Sequence, residues 1–326
     1  MNMIKPMLKK HYGLTVDSVE ELDIKSVNDL FKVETKKGTY FLKKSSYLRG
    51  RNVEDIKAHV DIALHMDKKG IPVVLPIKNK QKKYLTKVGT DCYILYPYEE
   101  LDARESFTHQ HMETAARMLA KFHKAGEDYK AKTTFYTKAL HEDIESITEF
   151  TEAPSNFRTD SVMAKVKRSK SPFSKRVKKD SPMIKEAIIR VVHSMWGKEF
   201  SKKSLLHYDF GPGNVFFKNG SLFAISDYDF SHVGYVETDV VKAARFWAME
   251  EDGNLNPVKF KRFITVYAEE NTIDLDWEVY QNMVLYLVLR RLVHAASYTL
   301  DDSQNDLEFL YDVDIKVVKF LMENKI

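Results

Sequence analysis

Five side chains able to bind cations or move protons, His207, Asp209, Asn214, Asp227 and Asp229, fall within 23 residues of one another. Taken singly, such residues are turn and cap formers, because Asn and Asp bond readily to nearby backbone. Their spacing argues for more. Asn219-Gly220 stands between two apolar runs, "VFF" and "LFAI", and both residues tolerate positive φ, the strongest short-range hairpin signal. A two-residue loop there pairs Lys218 with Ser221, and continuing the ladder sets Asn214 opposite Ile225. Asp227 comes two residues later, so Asn214 and Asp227 emerge at one end of the hairpin, about 7–8 Å apart as diagonal neighbours. A hard cation with bonds of about 2.0–2.1 Å to oxygen can bridge that gap. Asp209 lies five residues before Asn214 on a loop that "GPG" turns back toward the same end.

Phosphoryl transfer suits these parts. It needs a divalent cation to offset charge on the phosphate oxygens and a separate carboxylate to orient the attacking hydroxyl and accept its proton. His207, which follows "LL", reads as a packed, hydrogen-bonded core residue rather than an acid or base. Phe216, Phe217 and Phe223 read as hairpin core.

The segments "HYDFGPGN" and "ISDYDF", separated by a hairpin, resemble the catalytic and metal-binding segments of the aminoglycoside phosphotransferase and choline kinase superfamily. The resemblance implies an α+β, bilobal protein-kinase-like fold, with a small antiparallel sheet lobe and a larger helical lobe. It implies Asp209 as catalytic base, Asn214 and Asp227 as Mg²⁺ ligands, His207 as a loop organiser and Asp229 as an auxiliary. It points to Lys43, at the end of "TYFL", as the lysine that holds the α- and β-phosphates of ATP, with Lys44 as competitor. Glu54 is the nearest candidate for the glutamate partner of that lysine, although family spacing falls closer to His59. "YILYPY", containing Tyr96 and Tyr98, resembles the inter-lobe hinge that binds adenine. One departure stands out: the family's glycine after the histidine is Tyr208 here.

The cofactors implied are ATP and Mg²⁺, and the acceptor is a hydroxyl of a small molecule: an amino sugar, an aminoglycoside-like compound, an amino alcohol or a homoserine-like metabolite. No Gly-rich loop precedes Lys43, where "SVNDLF" stands, and no "DFG…APE" segment follows Asp227, which argues against a protein kinase. The alternative is a kinase-fold pseudoenzyme or spore-coat-type binding protein, motivated by Tyr208 and the unclear helix glutamate.

The elements around these residues follow from pattern. "LFKVETKKGTYFLKK" (30–44) reads as a hairpin. "NVEDIKAHVDIALHMDKKG" (52–70) carries Val53, Ile56, Val60 and Leu64 at helical spacing and stops at Gly70. "IPVVLPI", "KYLTKV" and "CYILYPY" read as three further short strands. Beyond Tyr98 the periodicity is helical, with "HQHMETAARMLAKFHKAG" (109–126) first. The expected lobes are 1–98, binding nucleotide, and 99–326, holding catalytic and acceptor residues. Thr238-Asp239 reads as a helix start with Thr238 as cap. Arg290 and Arg291 read as salt-bridge formers, and the acidic groups 99–102 and 250–252 as solvated faces.

Residues 164–180 hold eight Lys or Arg against one Asp, a local charge of +7 that leaves the rest of the chain at −3. There is thus no chain-wide basic surface of the kind nucleic-acid binders use. This stretch, within an insertion of about 155–182, reads as a solvated lid. The single cysteine, Cys92, fits a reducing compartment. The charged amino terminus lacks the apolar run of a signal peptide, and "MVLYLVL" (283–289) is too short to span a bilayer. A cytoplasmic protein without membrane or nucleic-acid partners is expected.

Overall fold

The computed structural model describes residues 3–23, 28–46, 53–130, 147–151, 161–195, 198, 200, 202–251, 253–301 and 307–324. The chain forms two compact units, one of residues 1–136 with 204–233, the other of 137–203 with 234–326. The segment with the candidate residues therefore belongs to the same unit as the N-terminal sheet.

In the first unit, β1 (Val16–Glu21), β2 (Asp29–Thr35), β3 (Gly38–Ser46), β4 (Leu85–Val88) and β5 (Asp91–Pro97) form an antiparallel sheet in the order β1-β2-β3-β5-β4. Alternation of side chains along the strands gives the sheet two apolar faces. Phe31, Val33, Leu42, Tyr93 and Leu95 pack with Ile4, Met7 and Leu8 of α1 (Ile4–Tyr12). Cys92 and Ile94 pack with Ile56 and Val60 of α2 (Val53–Lys68) on the opposite face. Lys43, next to Leu42 and opposite Ile94 in register, falls on the α2 side. A slip of one residue would send it to the α1 side.

The expected strand at 71–77 does not form. That segment makes a single parallel bridge, Val73 to Ile225, in place of a ladder. Pro72 and Pro76 lack the N–H donors that a ladder needs. Its remaining groups still anchor it: Ile225 N–H donates to Pro72 O, Val74 N–H to Ile225 O and Ile77 N–H to Leu95 O. After β6 (Lys203–Leu206), β7 (Val215–Lys218) and β8 (Ser221–Ile225) form the hairpin. Lys218 pairs with Ser221 as expected, but a bulge between Phe216 and Phe217 makes Phe223 an extra residue. Val215 therefore opposes Ile225, and Ser226 N–H donates to Asn214 O at 2.9 Å. Asn214 is thus matched with Ser226 rather than Ile225, one residue before Asp227. Asp102 accepts hydrogen bonds from the N–H groups of Asn219 and Gly220 at 3.0 and 2.7 Å, and Glu99 pairs with Lys218 at 2.7 Å. Two acids of the 99–102 group thus brace the hairpin. On α3 (His109–Gly126), a Cβ on Gly126 would stand 2.7 Å from Leu205 Cβ, so glycine lets this helix end lie against β6.

The second unit is helical: α4 (Val162–Arg168), α5 (Pro172–Met195), α6 (Val236–Trp247), α7 (Pro257–Glu270), α8 (Trp277–Asp301) and α9 (Glu308–Glu323). The expected lid is not one where it is described. Val162, Val166, Phe173 and Val177 are buried, and α4 and α5 both pack on α8. Lys165, itself buried, bonds Ser297 Oγ at 2.7 Å and Asp301 Oδ2 at 2.5 Å. Apolar positions at helical spacing within the basic run turn the other charges outward. Helix α6 begins at Val236 with Tyr235 as its cap, three residues earlier than expected, so Thr238 is inside its first turn and donates to Tyr235 O. Arg291 does form the anticipated ion pair, binding Asp314 through Nε and one terminal nitrogen at 2.6 Å each, with Arg245 on the same carboxylate at 3.0 Å. Among the described residues, no helix is long and apolar enough to cross a membrane.

Candidate active site

The loop after β6 is organised by His207, which is fully buried. Its Nδ1 accepts from Asp209 N–H at 3.2 Å, so Nε2 carries the hydrogen and donates to Ser226 O at 2.9 Å. Phe122, Phe210 and Tyr228 surround the ring. Tyr208 stands at φ 63°, in the left-handed region that favours glycine, and its ring lies against His232. The left-handed bend is thus made by a tyrosine, whose ring centroid stands 4.7 Å from that of His232.

Gly211 N–H bonds Asp209 O, and Asn214 N–H bonds Gly211 O, so the "GPG" turn folds Asn214 back onto Asp209. The Asn214 side-chain amide donates to Asp209 O at 2.9 Å and to Asp209 Oδ2 at 2.8 Å. Both donations leave Asn214 Oδ1 as the acceptor end of that side chain. Past the hairpin, Asp227 also has left-handed backbone, at φ 60°. Lys43 Nζ donates to Asp227 Oδ1 at 3.0 Å and to Asp229 Oδ1 at 2.8 Å. Burial pulls the Lys43 ammonium toward lower pKa, but Asp229 and Asp227 more than offset it, and the group ends well above the ordinary lysine range. Lys44 instead pairs with Asp29 and Asp91 on the sheet, so the competition between the two lysines is settled by strand register.

Asp229 is only 3% exposed and is held on all sides. His59 Nδ1 of α2 stands 2.9 Å from its Oδ1, and Asn28 Nδ2 donates to its Oδ2 at 2.8 Å. Asn28 Oδ1 in turn accepts from Ser45 Oγ at 2.6 Å. Glu54 is not brought to Lys43. Its exposed carboxylate pairs with Lys57 at 2.7 Å, because the step of five residues from it to His59 turns the two side chains about 140° apart around the helix. Asn28 and Ser45 had no distinguishing signal in the sequence, and His59 had only its spacing. Tyr96 lies opposite Phe41 in register, with its hydroxyl pushed up to about 12 by burial, against the opposing pull of Lys43. Tyr98 is 36% exposed, donates its N–H to Thr39 O and carries Lys32 over its ring.

Among the described residues, no group of three or more His, Cys, Asp or Glu side chains is placed to hold a metal. The donor set at the hairpin end is instead a carboxylate and an amide oxygen. Hard oxygen donors in small number suit Mg²⁺, which fills the rest of its shell with water and phosphate oxygens.

A largely buried lysine of an antiparallel sheet thus pairs with Asp227 beyond the hairpin, and Asn214 fixes the Asp209 carboxylate. Residues 18–272 match the phosphotransferase enzyme family, and the chain belongs to it. Among curated relatives, a homoserine kinase of Rhizobium meliloti (strain 1021) is 26% identical over 242 residues, covering 74% of this chain. The match spans 66% of that relative's length. Among solved structures, a spectinomycin phosphotransferase in complex with ADP and spectinomycin superposes with a TM-score of 0.71 at 14% identity, covering 99% of this chain and 98% of the other. A microcompartment-associated aminopropanol kinase gives 0.68 at 11% identity, covering 99% and 98%. The expected fold class and family are both met.

Proposed function

We propose that this chain transfers the γ-phosphate of ATP, with magnesium, to the hydroxyl of a small molecule that also carries an amino group. The observation that carries the reading is the double hydrogen bond from Asn214 to Asp209, which leaves one carboxylate oxygen of Asp209 as an oriented proton acceptor. Lys43, fully charged at neutral pH, serves the nucleotide phosphates. Asn214 Oδ1 and the Asp227 carboxylate are the atoms suited to hold Mg²⁺. The metal, when bound, supplies charge neutralisation at the phosphate oxygens. Asp209 takes the proton of the acceptor hydroxyl as its oxygen bonds to the γ-phosphorus and the bond from that phosphorus to the β,γ-bridging oxygen breaks, with ADP leaving. The adenine-side role of Tyr96 and Tyr98 is part of the same proposal. The amino group on the acceptor is supported by the names of the relatives, since homoserine and aminopropanol each combine a hydroxyl with an amine.

An ATP-consumption screen against small hydroxyl and amino-hydroxyl compounds, run beside Asp209→Asn, tests this. Turnover with one compound class, lost in the variant, supports the reading. Phosphorylation of generic proteins with no small acceptor, or turnover indifferent to Asp209, would falsify it.

A further inference from the structure

We propose that Asp229, clamped by His59 and Asn28, is the counter-carboxylate that positions Lys43, in place of the helix glutamate that the kinase-like resemblance implies. This rests on the reading of Lys43 as the phosphate-binding lysine.

A lysine that must meet phosphates needs an anionic partner to hold its long, flexible chain in one rotamer, because an unheld chain loses that entropy on binding. Helix α2 carries Asp55, which is buried, but the carboxylates bonded to Lys43 Nζ are those of Asp227 and Asp229 and none comes from the helix. Glu54 points to solvent and Lys57. The helix instead presents His59, which cannot hold an ammonium through a donated N–H but can hold a carboxylate. His59 Nδ1 lies 2.9 Å from Asp229 Oδ1, the same oxygen that accepts from Lys43 Nζ at 2.8 Å. The other oxygen, Oδ2, is taken by Asn28 at 2.8 Å, and Asn28 is itself fixed by Ser45 on β3, two residues beyond Lys43. The carboxylate has thus moved from the helix to the metal-loop segment, while helix and strand keep the duty of fixing it. With both oxygens engaged by protein and 3% exposure, Asp229 is built as an anchor.

Asp227 differs. Its side chain is 36% exposed and only its Oδ1 is bonded to Lys43. Two aspartates spaced by one residue therefore divide two tasks: Asp227 faces the ligand and Asp229 holds the lysine.

The test measures Mg·ATP affinity directly by calorimetry, alongside KM and kcat. His59→Ala is expected to weaken Mg·ATP affinity and raise KM for ATP about tenfold, the loss of one charge-assisted hydrogen bond, with KM for the acceptor unchanged. His59→Asn, which keeps a donor near the position of Nδ1, restores most of it. Asp229→Asn weakens ATP affinity at least as much, and adding His59→Glu to it recovers affinity by returning the carboxylate to α2. Melting curves accompany each variant, and the His59→Asn comparison serves should Asp229→Asn unfold. Unaltered ATP affinity in folded His59→Ala overturns the clamp. So does an Asp229→Asn variant whose only defect is a higher Mg²⁺ requirement, since that marks a metal ligand. A wild-type chain that binds Mg·ATP through this clamp yet phosphorylates no small molecule overturns the proposed function while the clamp stands; one that does not bind Mg·ATP overturns both.

Discussion

The side-chain amide of Asn214 bonds Asp209 twice, at its main-chain oxygen and at Oδ2, across the five-residue "GPG" turn. One amide group thereby sets both the bend of the loop and the rotation of the carboxylate. Orientation of this kind matters because a general base works only from within hydrogen-bond reach of the proton it removes.

Replacing Asp209 by asparagine preserves shape, and its amide oxygen can still accept from Asn214. The proton acceptor is lost. We expect kcat to fall by about 10²–10⁴-fold, with Mg·ATP affinity nearly unchanged, read by stopped-time product assay and calorimetry.

Lys43 has a folded-state pKa above its unfolded value, so the stability it contributes is complete below the ordinary lysine pKa and fades only as pH rises through the higher folded one. Mg·ATP affinity is therefore expected to show no loss attributable to Lys43 between about pH 7 and 9. Lys43→Met leaves Asp229 buried without its cation and should cost about 3 kcal/mol in denaturant unfolding. Adding Asp229→Asn should return part of that.

Glu54 is the nearest glutamate to the position that the resemblance implies, although family spacing falls closer to His59. Since Glu54 pairs with Lys57 on the surface, Glu54→Gln should leave Mg·ATP affinity and kcat at wild-type values. A large rise in KM for ATP would show that α2 turns in the nucleotide complex.

The backbone at Tyr208 is left-handed, which β-branched residues tolerate worst. Tyr208→Val should lower stability by about 1–2 kcal/mol, while Tyr208→Gly, which adopts this φ freely, should not. Thermal melts of the two variants side by side decide it.

The basic run 164–180 contributes Val166, Phe173 and Val177 to the buried face of the helical unit. Deleting it should abolish cooperative unfolding of that unit. A folded, more active deletion variant would restore the idea of a lid.

Local chemistry in the chain was enough to announce the hairpin at Asn219-Gly220, a helix read over 52–70 and found at Val53–Lys68, and the turn that brings Asn214 back to Asp209. Each of these depends on neighbours within a few residues: positive φ at a turn, helical spacing of apolar side chains, and a loop folded by glycine and proline. The bulge at Phe216–Phe217 was not legible, because whether a strand carries an extra residue depends on what packs against both of its faces. The prolines that keep 71–77 out of the sheet were visible, but their effect is felt only where a ladder partner is at hand.

Whether the lysine faced α1 or α2, and whether its partner was Glu54 or Asp229, was decided by tertiary structure alone. Residues 28, 43, 59 and 229 are separated by up to 201 positions, and no local rule connects them. Their meeting follows from strand register, which sends Lys43 to the α2 side, and from the rotation of α2, which turns His59 inward and Glu54 out.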